Sequence, residues 1–204
     1  MIHPATELRL VNPQVGYGVF ASRFIPMGSL VYVQDPLEIH LSPERYASLD
    51  EASRQVAEKY SFIEPGGNRV LSWDSAKYVN HSCRPNTMST AWGFEIAVAD
   101  IEPGEEITDE YGLFNLEWEM DCCCGHEACR GRIRAADVHL HFRHWDKRVR
   151  HAVRRLGEVD QPLLPFVDAP TRRAIEGLVA GRTRYRSVRQ LILPPAFFGT
   201  SAVA

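Results

Sequence analysis

Asn80, His81 and Cys83, with Ser82 among them, set an amide, an imidazole and a thiol within four consecutive positions. Each can bind or orient a ligand. Further on, Cys122, Cys124 and Cys129 form a C-x-C-x4-C spacing, with Gly125 placed to allow a tight turn. Three sulfurs gathered this way suit a structural zinc, which normally takes four tetrahedral ligands. One ligand is then still to be found. Cys123 lies between two of the thiols, where an extended backbone points it away. His126 sits inside the short loop, and Cys83 is the remaining thiol. If Cys83 is the fourth ligand, the metal ties residues 80–83 to the segment that follows Tyr111.

Two further groups are candidates. Gly16 and Gly18, flanking Tyr17, lack the third glycine of a nucleotide-binding G-x-G-x-x-G, but they allow a ligand to approach the backbone closely. Tyr111 follows an acidic run and precedes Gly112, which suits a phenol oxygen aimed into a cavity; the bland alternative is a packing tyrosine.

Short strands must position these residues. Leu8–Val11 and Val19–Ser22 flank the glycine turn, and Leu30–Val33 is rich in β-branched and aromatic residues. Ser42-Pro43-Glu44 is a helix start, predicting a helix from 43 to about 60. Arg69–Trp73 returns to a strand that leads into the 80–83 stretch, and Phe94–Ala99 alternates in strand fashion. Beyond Ile133 the period changes. Phe142, Trp145, Val149, Ala152, Val153 and Leu156 recur at helical spacing, with arginines and a lysine between them. Core packing with a solvated basic face is the preferred reading of residues 143–155, and nucleic-acid binding is the runner-up. A last helix is predicted from about Thr171 to Ala180.

A chain of 204 residues, 45% hydrophobic and 24% charged, suits one well-buried domain with an appendage. No segment approaches the roughly 18 apolar residues that span a bilayer. The first residues carry no apolar signal-type run, so a soluble, intracellular protein is expected. An odd count of five cysteines, four of them crowded at 122–129, fits thiolate ligation better than disulfides. The net charge of −3 conceals an asymmetry: Glu95 to Asp121 holds ten acidic residues and no Lys or Arg. Such a stretch attracts a cationic partner or is merely a solvated face.

Taken together, the motifs resemble the SET-domain family of protein-lysine methyltransferases with a post-SET zinc segment. The family's N-H-S-C-x-P-N runs from Asn80 to Asn86, its G-E-E-[LI]-T-x-x-Y from Gly104 to Tyr111, and its C-x-C-G-x-x-x-C-R-G from Cys122 to Gly131. The resemblance implies a mainly β fold of small sheets around a pseudoknot, with a C-terminal helical extension. It divides the chain into a SET domain at 1–117, a post-SET segment at 118–133 and an extension at 134–204. It implies S-adenosylmethionine as methyl donor, bound by Gly16, Tyr17, Gly18, Asn80 and His81. It also implies zinc on Cys83, Cys122, Cys124 and Cys129, and Tyr111 as the catalytic tyrosine. A lysine of another protein, with a histone or histone-like tail as the leading class, is the expected substrate.

Two positions depart from the family pattern. Asp109 stands where many members carry Phe or Tyr, and either faces the substrate channel and binds the incoming lysine or faces solvent. Gln34 stands about where many members have a channel tyrosine. The rival reading is a non-catalytic SET module that keeps the fold as a binding or scaffold protein.

Overall fold

A computed structural model of the chain describes residues 1–194. Strands β1 (Thr6–Asn12) and β2 (Gly16–Ala21) form an antiparallel hairpin. Its turn runs from Asn12, whose Oδ1 accepts from the Gln14 and Val15 amides, to Gly16 at φ +87°. Gly16 closes the turn as the first residue of β2, paired with Asn12, and Tyr17 and Gly18 pair further along the same strand. Gly18 serves close approach instead. A Cβ there would collide with Glu106 Oε1 and stand 3.0 Å from Asn80 Nδ2.

After the buried strand β3 (Leu30–Val33) come β4 (Ile39–Leu41) and two helices where one was expected. Helix α1 (Pro43–Ala47) ends early and α2 (Glu51–Tyr60) begins anew. The cause is Asp50, whose carboxylate accepts from the Ser53 amide at 2.8 Å while its own backbone stays extended. A capping carboxylate of this kind interrupts a helix as readily as it starts one. Next come β5 (Ser61–Ile63) and β6 (Arg69–Leu71), which join β4 in a sheet of order β4-β6-β5.

The following four strands are β7 (Asn80–His81), β8 (Thr87–Ser89), β9 (Phe94–Ala97) and β10 (Glu106–Asp109). They build two sheets, β3-β9-β8 and β1-β2-β10-β7. Strand β9 is central and buried along its whole length, so the alternation expected for 94–99 does not produce a solvent face. Strand β7 runs parallel to β10, with Asn80 opposite Thr108 and His81 opposite Asp109. The chain leaving β10 then returns over Val79–Cys83 and reaches β11 (Met120–Asp121) and β12 (Arg132–Ile133), a small ladder that frames the cysteine segment. This return is the crossing expected of the fold, which among the described residues is mainly β in four small sheets.

Helix α3 (Asp137–Val153) buries Trp145, Val149, Ala152 and Val153 against Leu30, Met88, Phe94 and Ile96, and α4 (Ala169–Val179) adds Ile175 to the same core. Arg143, Lys147, Arg150 and Arg154 of the basic segment remain exposed. A smaller core of Val19, Ala21, Ile25, Val31, Ala97, Ile101 and Ile107 lies between the sheets. Residues 195–204 of the expected extension lie outside the described residues. Among the described residues no helix is long and apolar enough to cross a membrane.

Candidate active site and thiol cluster

The parallel pairing of β7 with β10 fixes the first part of the site. Asn80 Nδ2 donates to the Tyr17 carbonyl at 3.1 Å and to Glu106 Oε1 at 2.8 Å, locking the glycine strand to the 80–83 stretch. His81 is buried at its side chain and bridges two segments. Its Nδ1 accepts from the Tyr111 amide at 3.2 Å and stands 3.0 Å from the Asp109 carbonyl, while Nε2 is 3.4 Å from Cys83 Sγ. Burial, reinforced by the Arg130 guanidinium, lowers the His81 pKa to about 4, so the imidazole is neutral near pH 7.

Cys83, Cys122, Cys124 and Cys129 meet, with all four Sγ atoms within 4.8 Å of one another. Four sulfurs at about 2.3 Å from one tetrahedral ion stand about 3.8 Å apart. The Cys83–Cys122 and Cys122–Cys129 separations are 3.8 and 3.6 Å. The amides of Cys83, Arg130 and Gly131 donate to the sulfurs of Cys124, Cys83 and Cys129 at 3.3–3.5 Å, as donors around a negatively charged thiolate cluster would. This donor set fits a structural zinc. Cys123 is exposed, and His126 Nδ1 is occupied by the Ala128 amide at 3.0 Å.

Arg130 carries the cluster's neighbourhood into the core. It donates to Glu110 Oε1 at 2.6 Å, pairs with Asp137 at 3.4 Å and lies 5.7 Å from the Trp145 ring of α3. Glu110 is fully buried, and desolvation pushes its pKa up to about 7 against the opposing pull of Arg130.

Tyr111 occupies the wall of a cavity of about 350 Å³ together with Tyr32, Tyr60, Phe62, Val79, Glu95, Phe114 and Trp118. Its hydroxyl donates to the Val79 carbonyl at 2.6 Å. Burial first, then the Asp109 and Glu95 carboxyls, pushes its pKa upward, so it stays a neutral phenol. Gly16, Tyr17, Gly18, Asn80 and His81 are not in this wall. They lie beside it, linked through Tyr78, whose ring makes edge contacts with both Tyr17 and Tyr60.

A second cavity of about 330 Å³ includes Gln34, Glu64, Thr90, Gly93 and Arg186. The two cavities share Tyr32, Phe62 and Glu95. Tyr32, two residues before Gln34, is thus the tyrosine of β3 that lines both cavities, and Gln34 touches only the second. Asp109 is fully buried, which removes the solvent-facing alternative. It lines neither of these cavities, and, on top of burial, its carboxyl acts on that of Glu95, raising the Glu95 pKa. The reading of Glu95 to Asp121 as a wholly solvated face also gives way, since Glu95, Asp109 and Glu110 are all buried. Sequence reasoning passed over Tyr32 and Glu95. The available signal for Glu95 was a single carboxylate inside the apolar run Phe94–Ala97.

Comparison with known proteins agrees with this construction. A family model described as SET domain matches residues 16–112. "Putative histone-lysine N-methyltransferase ASHH4" of Arabidopsis thaliana is 27% identical over 143 residues, 63% of this chain and 40% of that protein. "Variant-silencing SET domain-containing protein" of Plasmodium falciparum (isolate 3D7) is 33% identical, over 57% of this chain and 5% of that protein. "Histone-lysine N-methyltransferase Set2" of Drosophila melanogaster is 32% identical, over 58% of this chain and 6% of that protein. This chain therefore spans 40% or less of the length of each of these relatives. The crystal structure of KRYPTONITE in complex with mCHG DNA and SAH superposes with a TM-score of 0.46 at 22% identity, over 63% of this chain and 29% of that one. A likeness that slight adds nothing on function. The matched segment holds the 80–86 and 104–111 motifs and Tyr111, and it is over residues 16–112 that the chain matches the SET-domain family.

Proposed function

We propose that the protein transfers a methyl group from S-adenosylmethionine to a lysine side chain of another protein, with a histone or histone-like tail as the leading substrate class. The observation that carries this reading is the Tyr111 hydroxyl, fixed on the Val79 carbonyl in an aromatic-walled cavity within a chain of this family. The histone-lysine methyltransferase names of the relatives support the substrate class.

The side chains around the cavity suit such a donor. Lys59 and Lys77 offer cations for a carboxylate, Tyr60, Phe114 and Trp118 offer faces for a flat base, and the Val79 carbonyl and Tyr111 oxygen suit a cationic sulfur. The backbone of Gly16, Tyr17 and Gly18, with Asn80 and His81, forms the adjoining edge of the donor site. The donor, when bound, supplies an electrophilic methyl group. Tyr111 holds the acceptor amine in line, and positioning of this kind lowers a barrier by up to roughly 7–11 kcal/mol. Tyr32 and Phe62, common to both cavities, form the apolar passage that excludes water from the amine. Zinc on the four cysteines holds Asn80 and His81 against the Tyr111 segment.

Incubation with methyl-labelled donor and a panel of histones and cell extracts tests the proposal. Label recovered on lysine after hydrolysis is the expected result. Donor binding without any transferred label would favour the non-catalytic scaffold, the reading that Asp109 in place of an aromatic residue supports.

A further inference from the structure

We propose that Glu95, paired with Asp109, is the acceptor for the proton that a lysine ammonium must lose before it can act as a nucleophile. The inference rests on the methyl-transfer reading above and adds a catalytic residue to it. Glu95 lies on β9 opposite Tyr32 of β3 and Ser89 of β8, so the three side chains share one face of the sheet. That face meets both cavities, and among the described residues Glu95 is the one carboxylate common to their linings, Glu58 and Glu117 lining the first alone and Glu64 the second alone.

The pair is built in an unusual setting. Glu95 is 9% exposed and accepts one hydrogen bond, from the Ser89 hydroxyl at 3.4 Å. Asp109 Oδ1 accepts from the Glu110 amide at 2.6 Å, and Asp109 Oδ2 finds no fixed donor. Buried oxygens are seldom left so. A single proton held between the two carboxyls satisfies Oδ2 and leaves the pair one negative charge, because two buried like charges in contact cannot both persist. The ionisable groups facing the pair are the Tyr32 and Tyr111 phenols, the Met1 amino group towards Glu95, and, towards Asp109, the Arg148 guanidinium and the buried Glu110 carboxyl. Burial raises the affinity of both carboxyls for protons, while Arg148 favours placing the resident charge on Asp109.

An ammonium entering the apolar passage has this pair as its counter-charge. One N–H bond of the ammonium breaks and an O–H bond forms on the cavity-facing oxygen of Glu95. The proton already on Glu95 moves to Asp109 Oδ2. The pair ends with two protons, and the amine is left neutral with a free electron pair.

The test uses n-butylammonium as a lysine side-chain probe, with no methyl donor present, and n-pentanol as a neutral probe of similar length. Glu95→Gln keeps the size of the side chain and removes the carboxyl that takes the proton, and Glu95→Gln combined with Asp109→Asn also removes the pair's one negative charge. n-Butylammonium binding should fall about tenfold or more in the double variant, while n-pentanol binding stays the same. In single-turnover methyl transfer between pH 7 and 9, the rate of Glu95→Gln should climb about tenfold per pH unit, with the wild type nearly flat. In Asp109→Asn, the carbon-13 signal of the Glu95 carboxyl should titrate at lower pH than in the wild type.

Equal n-butylammonium affinity in wild type and the double variant, or equal pH slopes in wild type and Glu95→Gln, would overturn the assignment and leave methyl transfer standing. An unshifted Glu95 titration in Asp109→Asn would overturn the pairing. Amine binding through Glu95 in a protein that never transfers a methyl group would overturn the methyl-transfer reading, and the catalytic role of Glu95 with it.

Discussion

Tyr111 is held as a neutral donor by its surroundings. Its hydroxyl is committed to the Val79 carbonyl, and the neighbouring carboxyls oppose ionisation. Its part in the proposed reaction is therefore to orient rather than to take a proton. The thiol cluster is the other feature decided by individual atoms. Zinc should be lost from Cys83→Ser and retained in Cys123→Ser, as read by elemental analysis of the purified variants. Retention in Cys83→Ser, with loss in His126→Ala, would move the fourth ligand to the histidine. The three downstream cysteines were legible from spacing because their loop is short. That Cys83 joins them was not a matter of spacing, since chain folding alone decides which distant thiol arrives. Tyr32 and Glu95 escaped notice for a similar reason. Each sits in an ordinary-looking strand, and only the register of β3 against β9 places them on one face.

At the scale of elements, the pairing of β7 with β10 and the packing of α3 against β9 do most to position the site. The periodicity of α3 was legible because its apolar residues recur every three to four positions, and its basic face is solvated as that pattern requires. The break between α1 and α2 was not anticipated, because a capping Asp50 looks the same in sequence as a tolerated surface aspartate. Trp145 is 3% exposed and touches both the large core and the Arg130 guanidinium. Trp145→Ala should lower the unfolding free energy by about 3–5 kcal/mol, measured by urea denaturation. A loss under about 1 kcal/mol would mean that α3 is not integral to the core.

Across the whole molecule, the C-terminal segment is fastened to the site region by buried polar groups. Asp146 accepts from the Tyr185 hydroxyl, the Ser187 hydroxyl and the Val188 amide at 2.7–2.9 Å. Asn115, with φ +53°, donates to the carbonyls of Ile63 and Leu191 and accepts from the Leu193 amide. These joints bring β5, the chain after Tyr111 and the C-terminal segment to one place, and their partners are too far apart in sequence for any local pattern to announce them. The zinc proposal adds a second fastening on the other side of Tyr111. Chelation should lower the melting temperature by roughly 10 °C and abolish methyl transfer, both restored on adding zinc. Unchanged melting after complete metal removal would show that the four thiols do not staple the fold.

Whether Tyr111 orients the amine is decided by comparing Tyr111→Phe with the wild type. The substitution removes one hydroxyl and almost no volume, so the cavity and the binding of S-adenosylmethionine, measured by calorimetry, should be nearly unchanged. Label transfer to lysine should fall by about a hundredfold or more, in the maximal rate rather than in substrate affinity. Undiminished transfer by Tyr111→Phe would contradict the account, since the hydroxyl fixed on Val79 would then have no part in the reaction.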